Sequence, residues 1–332
     1  MSGSSFRHVY GPVPSRRLGR SLGIDLVPFK TCTYDCVYCQ LGRTTEKTVE
    51  RKEYVSVDEV LAELDQWLAA EDTPDYISLA GSGEPTLNSG VGRLIDEIKR
   101  LTKIPVAVLT NGSLLWMGEV QDALMAADLV LPSLDAGDAW LFRYVNRPHP
   151  GISFERMVEG IATFTTRFPG EVWLEVLLLA GVTGLPFEVE KIADLTKRIS
   201  PARVQLNTAS RPPAETFAFP FSTDRMLEFR DLFSGRVDII SEVGRDGSHA
   251  PAGFVAEEED VLALLGRRPC TSQDVANGLG IHVTEALKCL EALITAGNVS
   301  TVITGGKIFY VRDKCEEEKS DEARISYHAN RS

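Results

Sequence analysis

Cys32-Thr-Tyr-Asp-Cys36-Val-Tyr-Cys39 places three cysteines within eight residues of a 332-residue chain. Three thiolates at the spacing C-x3-C-x-aromatic-C can hold three irons of a cubane cluster and leave the fourth iron without a protein ligand. An open iron is a place for chemistry, as a catalytic zinc site keeps one position free. Electron carriers usually close the cluster with a fourth cysteine. The alternatives are a zinc loop or unligated surface thiols. Zinc wants four ligands in paired spacings, and no histidine or fourth cysteine lies nearby; the next cysteine is Cys270.

The composition is 43% hydrophobic and 25% charged, which suits a soluble globular chain long enough for one large domain and one small one. A net charge of −12 gives no broad positive field to collect nucleic acid, so any RNA or DNA contact needs a local basic patch. No apolar run reaches membrane-spanning length, and the N-terminal segment lacks a hydrophobic signal core. Six cysteines, three of them clustered, fit a reducing compartment rather than a disulfide framework. The expectation is a cytoplasmic protein with no membrane partner.

Short apolar runs alternate with amphipathic segments over 21–241. Strands are expected at Ser21–Val27, Tyr76–Ala80, Val106–Thr110, Leu129–Leu134, Val172–Leu179, Val204–Asn207 and Val237–Ile240. They are rich in Val, Ile and Leu, as strands covered on both faces are. Ser56-Val-Asp-Glu59 reads as a helix capping box ahead of an apolar stripe formed by Val60, Leu61, Leu64, Trp67 and Leu68. A second stripe carries Val91, Leu94, Ile95, Ile98 and Leu101, and further helices are expected at Pro186–Ile199 and Ser222–Phe233. The alternation implies an α/β fold with a parallel sheet or barrel. Periodicity alone does not separate a partial barrel from an open doubly wound sheet.

After a polar, Gly-containing stretch the rhythm changes. Helices are expected at Glu257–Leu265, Thr271–Leu279 and Val283–Ala296, then a hairpin turning at Thr304-Gly305-Gly306. Helix, helix, helix, hairpin is the winged-helix order. The expected division is a core over 1–243, a linker over 244–253, a winged-helix-like domain over 254–314 and a disordered tail over 315–332.

The cysteine motif resembles the signature of the radical S-adenosylmethionine (radical SAM) superfamily. The resemblance implies a partial (β/α)6 TIM-like barrel, here with a small C-terminal winged-helix domain. It implies one 4Fe–4S cluster ligated by Cys32, Cys36 and Cys39, whose open iron chelates the amino and carboxylate groups of S-adenosyl-L-methionine. One electron, from a donor such as flavodoxin or ferredoxin, would yield a 5′-deoxyadenosyl radical that abstracts hydrogen, with the protein supplying orientation.

Sites in such barrels lie at the carboxyl ends of strands. The second strand runs into Gly81-Ser82-Gly83-Glu84-Pro85, which resembles the family's Gly-Gly-Glu-Pro motif, with Ser82 in place of the first paired glycine. In the family that motif binds the cofactor's amino group. Its bland alternative is a glycine turn. Asn111, after the third strand, and Ser133 and Asp135, after the fourth, resemble segments lining the cofactor cleft; ordinary turns are the alternative. Glu175 interrupts an apolar strand and either points inward, toward the cofactor's ribose, or outward to a helix. Tyr38 either covers the cofactor region or packs in its loop.

Arg16 and Arg17 lie before the first strand, and Arg211-Pro-Pro-Ala-Glu215 follows the sixth. Arginine suits bidentate contact with carboxylate or phosphate, so Arg16, Arg17 and Arg211 are candidates for an anionic substrate, with Arg143 and Arg147 behind them. Solvated surface arginines are the alternative. The opening segment Gly11–Asp25, Arg211–Glu215 and the helical module resemble a bacterial and archaeal group related to tRNA wyosine synthases, over 10–312. Those synthases use a second cluster held by upstream cysteines. No cysteine precedes Cys32, so their reaction is not carried over. The substrate stays open among a small molecule, a peptide or protein, and tRNA, with tRNA base modification as the enzymatic alternative. An iron–sulfur sensor binding DNA through the winged helix is a different class. Eight acidic against six basic residues over Phe254–Cys315 disfavour it. Cys270, Cys289 and Cys315 lack ligand spacing and read as packing residues.

Overall fold

Runs of Val, Ile and Leu too short for helices become strands here, with both faces buried, one beneath the helices and the other against a second apolar cluster. The structure, a computed structural model, describes residues 6–69, 73–240 and 258–313. The chain divides into two compact units, Met1–Arg245 and Asp246–Ser332. The expected linker, 244–253, and the expected disordered tail, 315–332, lie outside the described residues.

The first unit opens with an antiparallel pair, β1 (Val9–Ser15) and β2 (Gly19–Ile24), followed by the two-residue strands β3 (Thr31–Cys32) and β4 (Glu46–Lys47). Then come α1 (Val57–Leu68), β5 (Tyr76–Leu79), α2 (Val91–Leu101), β6 (Val106–Thr110), α3 (Gly118–Leu124) and β7 (Leu129–Pro132). Next are α4 (Ala139–Val145), α5 (Phe154–Arg167), β8 (Glu171–Leu178), α6 (Pro186–Ile199), β9 (Arg203–Thr208), α7 (Thr223–Phe229) and β10 (Val237–Ile239). One eight-stranded sheet has the order β1-β2-β5-β6-β7-β8-β9-β10, parallel from β2 to β10. A helix on each crossover makes this the expected partial barrel.

Side chains alternate along the strands. Val108, Val130 and Leu174 join the large core beneath the helices. Their neighbours Ala107, Leu129, Leu131 and Trp173 gather with Leu18 in a separate buried cluster. Toward the strand ends that second face turns polar, with Glu175 and Asn207 hydrogen bonded to one another.

Several expectations need correction. β1 was not expected, because Gly11, Pro12 and Pro14 break its pattern; as an edge strand with an irregular register between Tyr10 and Val13 it tolerates them. The α1 cap is half as expected. Ser56 accepts the Glu59 N–H, but Glu53 supplies the carboxylate, accepting the Val57 N–H at 2.8 Å. The segment after β7 continues from its turn into α4, capped by Asp138, which accepts the N–H groups of Trp140 and Leu141. The Ser222–Phe233 helix is α7 followed by a separate 3-10 turn, Arg230–Leu232.

The second unit contains α8 (Glu258–Arg267), α9 (Ser272–Leu279), α10 (Val283–Thr295) and the hairpin of β11 (Val299–Thr304) and β12 (Lys307–Arg312). Thr271 and Asp274 form a reciprocal capping box at the start of α9. Cys270 pairs through its backbone with Tyr310 of β12. Among the described residues no helix is long and apolar enough to cross a membrane.

Candidate metal centre

The cysteine loop leaves the end of β2 and is fastened to the far side of the barrel by its own apolar residues. Tyr34 and Val37 are buried, and the Tyr34 ring meets Phe142 of α4 edge-on at 5.3 Å. The loop backbone donates to the end of α4, from Val37 N to the Val145 carbonyl at 2.9 Å and from Asp35 N to that of Asn146 at 3.0 Å. Thr44 closes the loop, donating its Oγ1 to the Tyr34 carbonyl at 2.7 Å.

On this frame Cys32, Cys36 and Cys39 are half-buried as residues, with the Cys32 and Cys36 sulfurs lying deep. Burial pushes the Cys32 thiol up to about 12, and the Glu84 carboxylate adds to it. Burial, then the neighbouring Cys32 and Cys39, pushes Cys36 well above its ordinary value. As free thiols these two stay protonated and make poor nucleophiles; a bound metal's charge would strip the proton outright. Among the described residues no three His, Cys, Asp or Glu side chains are gathered for a metal ion.

Each sulfur faces one side-chain nitrogen donor, and Cys32 and Cys36 also meet the Tyr34 backbone N–H and the Tyr38 hydroxyl, respectively. Lys30 Nζ lies 3.1 Å from Cys39 Sγ, Asn111 Nδ2 3.6 Å from Cys32 Sγ and Asn146 Nδ2 3.5 Å from Cys36 Sγ. Tyr34 OH, close enough to Cys36 and Cys32 to feel their charge, is buried with no hydrogen-bond partner among the described residues, as is Asn146 Oδ1.

The Gly81–Pro85 loop is fixed against this loop. Lys30 N donates to the Ser82 carbonyl at 2.7 Å, and Glu84 N to that of Thr31 at 3.2 Å. The contact demands glycine at two places. Gly81 sits at φ 144°, and a Cβ on Gly83 would lie 1.8 Å from the Thr31 carbonyl oxygen. Asp25, at the end of β2, accepts the Ser82 N–H and its hydroxyl. Glu84 is 2% exposed. Its Oε1 accepts Thr86 Oγ1 and Thr110 Oγ1, each at 2.6 Å, and the Thr86 N–H; Oε2 accepts the Asn111 N–H at 2.7 Å. Burial raises its pKa, and these bonds work against the rise. Glu84 thus ties two strand ends together and keeps acceptor capacity on Oε2.

Tyr38 donates its hydroxyl to Asp135, which also accepts Asn146 Nδ2 at 2.8 Å and the Leu177 N–H at 3.1 Å. Burial pushes the Asp135 carboxyl up to about 6 against those bonds. Both side chains are therefore engaged within the chain. Ser133 pairs through its backbone with Glu175. Glu175 meets Arg17, so an expected cofactor residue and an expected substrate residue pair with each other. Burial alone would raise Glu175, but the Arg17 guanidinium and the Asn207 amide hold it below the usual carboxylate value. Arg16 is exposed and Arg211 half-buried. Arg147 and Arg43 both reach Glu215, at 2.6 and 2.8 Å, and Glu215 N donates to the Val37 carbonyl at 2.9 Å. The segment after β9 is thereby anchored to the cysteine loop.

The structure brings together Cys32, Cys36, Cys39, Tyr38, the Gly81–Pro85 loop, Asn111 and Asp135 through shared bonds, and sets Ser133, Glu175 and Arg17 along the neighbouring strand ends. Sequence reasoning missed Lys30, Asn146 and Asp25. Asp25 had a usable signal, a carboxylate at a strand end immediately before the cysteine loop. The donor set fits an iron–sulfur cluster, because sulfurs that face N–H groups are held to accept, as metal-bound thiolates do.

Residues 26–196 match the Radical SAM superfamily. A UPF0026 protein of Methanocaldococcus jannaschii is 30% identical over 94% of this chain and 98% of its own, and one of Helicobacter pylori is 35% identical over 91% and 96%. A protein of Brachyspira hyodysenteriae named GTPase Obg is 39% identical over 92% of this chain, which spans 45% of that protein's length. Among solved structures, a radical SAM methyltransferase from Sphaerobacter thermophilus is 18% identical, with a TM-score of 0.47 over 66% of this chain and 65% of that one. By residues 26–196, over half its length, the chain belongs to the radical SAM superfamily, whose members use a 4Fe–4S cluster and S-adenosylmethionine.

Proposed function

We propose that the protein is a radical SAM enzyme in which Cys32, Cys36 and Cys39 hold the cluster and the Gly81–Pro85 loop receives the methionine end of S-adenosylmethionine. The observation that carries this is the fastening of the two loops to each other, at Lys30 to Ser82 and at Glu84 to Thr31. When bound, cluster and cofactor supply reductive cleavage to a 5′-deoxyadenosyl radical. The chain's own residues do the rest. Glu84 Oε2 offers an acceptor to the cofactor's ammonium group. Asn111 joins the two loops, donating Nδ2 to Thr33 Oγ1 at 2.7 Å and its N–H to Glu84. Buried Tyr34, Val37 and Phe142 would help keep water from the cysteine sulfurs. Arg16, Arg17 and Arg211 are the candidates for an anionic substrate, with Arg17 already paired to Glu175. A flavodoxin- or ferredoxin-type protein would supply the electron.

Anaerobic reconstitution with iron and sulfide, followed by reduction in the presence of S-adenosylmethionine, should release 5′-deoxyadenosine. Its absence under strong reduction, with a full cluster in place, would sink the proposal.

A second function, modification of a nucleic-acid base, is favoured by one feature of the rim. Trp140, 66% exposed, and Tyr144, 44% exposed, stack in parallel at 5.8 Å on α4, the helix that fastens the cysteine loop. Such a platform suits unpaired bases. Single-stranded RNA should then quench Trp140 fluorescence in a salt-dependent way, and no quenching in a Trp140-only background would remove this function.

A further inference from the structure

We infer that Lys30, Asn111 and Asn146 are positioning residues that raise the reduction potential of the cluster, one side-chain nitrogen donor to each cysteine sulfur. The inference rests on the cluster assignment above. The three donors come from separate parts of the fold: the loop after β2, the end of β6 and the end of α4. They are shared out singly, Lys30 to Cys39, Asn111 to Cys32 and Asn146 to Cys36.

Both amides are held with the nitrogen toward sulfur. Asn111 Oδ1 accepts the Ser113 N–H at 2.9 Å, so its NH2 must face Thr33 and Cys32. Asn146 Nδ2 also donates to the Asp135 carboxylate at 2.8 Å. A flipped amide would point oxygen at oxygen there.

Lys30 is the unusual member. It is 3% exposed, although lysine is rarely buried without a partner. Its backbone stands at φ 60°, a conformation that side-chain-bearing residues seldom adopt. Among the described residues it has no carboxylate partner, and its ammonium donates to Cys39 Sγ. A neutral thiol is a weak acceptor for a buried ammonium; a metal-bound thiolate is a strong one. The charge and the two amides are fixed in place before any electron arrives. When the cluster takes one electron from an external reductant, with no proton transferred, its negative charge grows. Donors to its sulfurs stabilise that state, and the potential rises.

The test is a redox titration of the reconstituted full-length protein without S-adenosylmethionine, followed by electron paramagnetic resonance, with iron and sulfide counted first. At the wild-type midpoint, Lys30→Met should lower the ratio of reduced to oxidised cluster about tenfold, which is about 59 mV for one electron. Lys30→Arg should restore most of it, and Asn146→Ala and Asn111→Ala should each lower it about threefold. Full clusters with unmoved midpoints in all the variants overturn the inference alone. A wild-type chain that takes up no cluster overturns the cluster assignment and the inference with it. If Lys30→Met cannot hold a cluster, the midpoint of Asn146→Ala decides in the same two ways.

Discussion

Cys270 and the Cys32–Cys39 group contain the same thiol in opposite company. Cys270 is buried among Val261, Leu265, Val275 and Leu290, and its thiol donates to the Arg268 carbonyl at 3.5 Å. The sulfurs of Cys32, Cys36 and Cys39 instead face nitrogen donors. A thiol that donates to a carbonyl is a neutral packing residue. Sulfurs that face N–H donors are arranged to accept, and a neutral thiol is a weak acceptor where a thiolate is a strong one. The partner's polarity, more than the burial, separates the structural cysteine from the ligand.

The sharpest way to break this comparison is to remove one thiol from each region. Cys36→Ala should abolish both iron retention and 5′-deoxyadenosine release. Cys270→Ala should leave both unchanged, as judged by iron analysis. Next in size is Gly83→Ala, whose Cβ would meet the Thr31 carbonyl oxygen at 1.8 Å, a backbone atom that cannot step aside without moving β3. Forcing the two loops apart should cost on the order of 3 kcal/mol in denaturant titrations and reduce the iron held.

Arg17→Met should cost about 2 kcal/mol, because it leaves the Glu175 carboxylate half-shielded without its guanidinium. A paired carboxylate held below its ordinary value contributes stability above the usual carboxylate range, and loses it as the pH falls through its folded-state pKa. The wild type should therefore lose more of its stability on acidification than Arg17→Met does. Equal pH profiles would show that the pair does not hold in solution. The smallest effect belongs to Cys270→Ala, at about 1 kcal/mol from the lost sulfur contacts in the second unit, read by urea unfolding.

What the sequence made legible follows from the range of each interaction. β6 and β7 are continuous apolar runs, so composition alone marks them. The cysteine motif and Gly81–Pro85 are local patterns at strand ends. α4 was hidden, because Asp135-Ala-Gly reads as a turn and the helix after it has only seven residues, with Trp140 and Tyr144 exposed. Its available signal was Asp138 as a cap before Leu141, Phe142 and Val145. Asn146 stands 110 residues from the cysteine it serves, and nothing in its own neighbourhood marks it. Lys30 lies in a loop where a lysine is ordinary; only its burial and its sulfur partner single it out. The pairing of Arg17 with Glu175, 158 residues apart, could not be read from either segment.

The central claim is that these three thiols hold a cluster with one iron open to the cofactor. Mössbauer spectroscopy of the anaerobically reconstituted, isotopically enriched protein, before and after adding S-adenosylmethionine, tests it most directly. The account predicts that the signal of a single iron shifts on addition while the others stay. Irons that all stay unchanged, or a cluster that persists intact in Cys36→Ala, would contradict it.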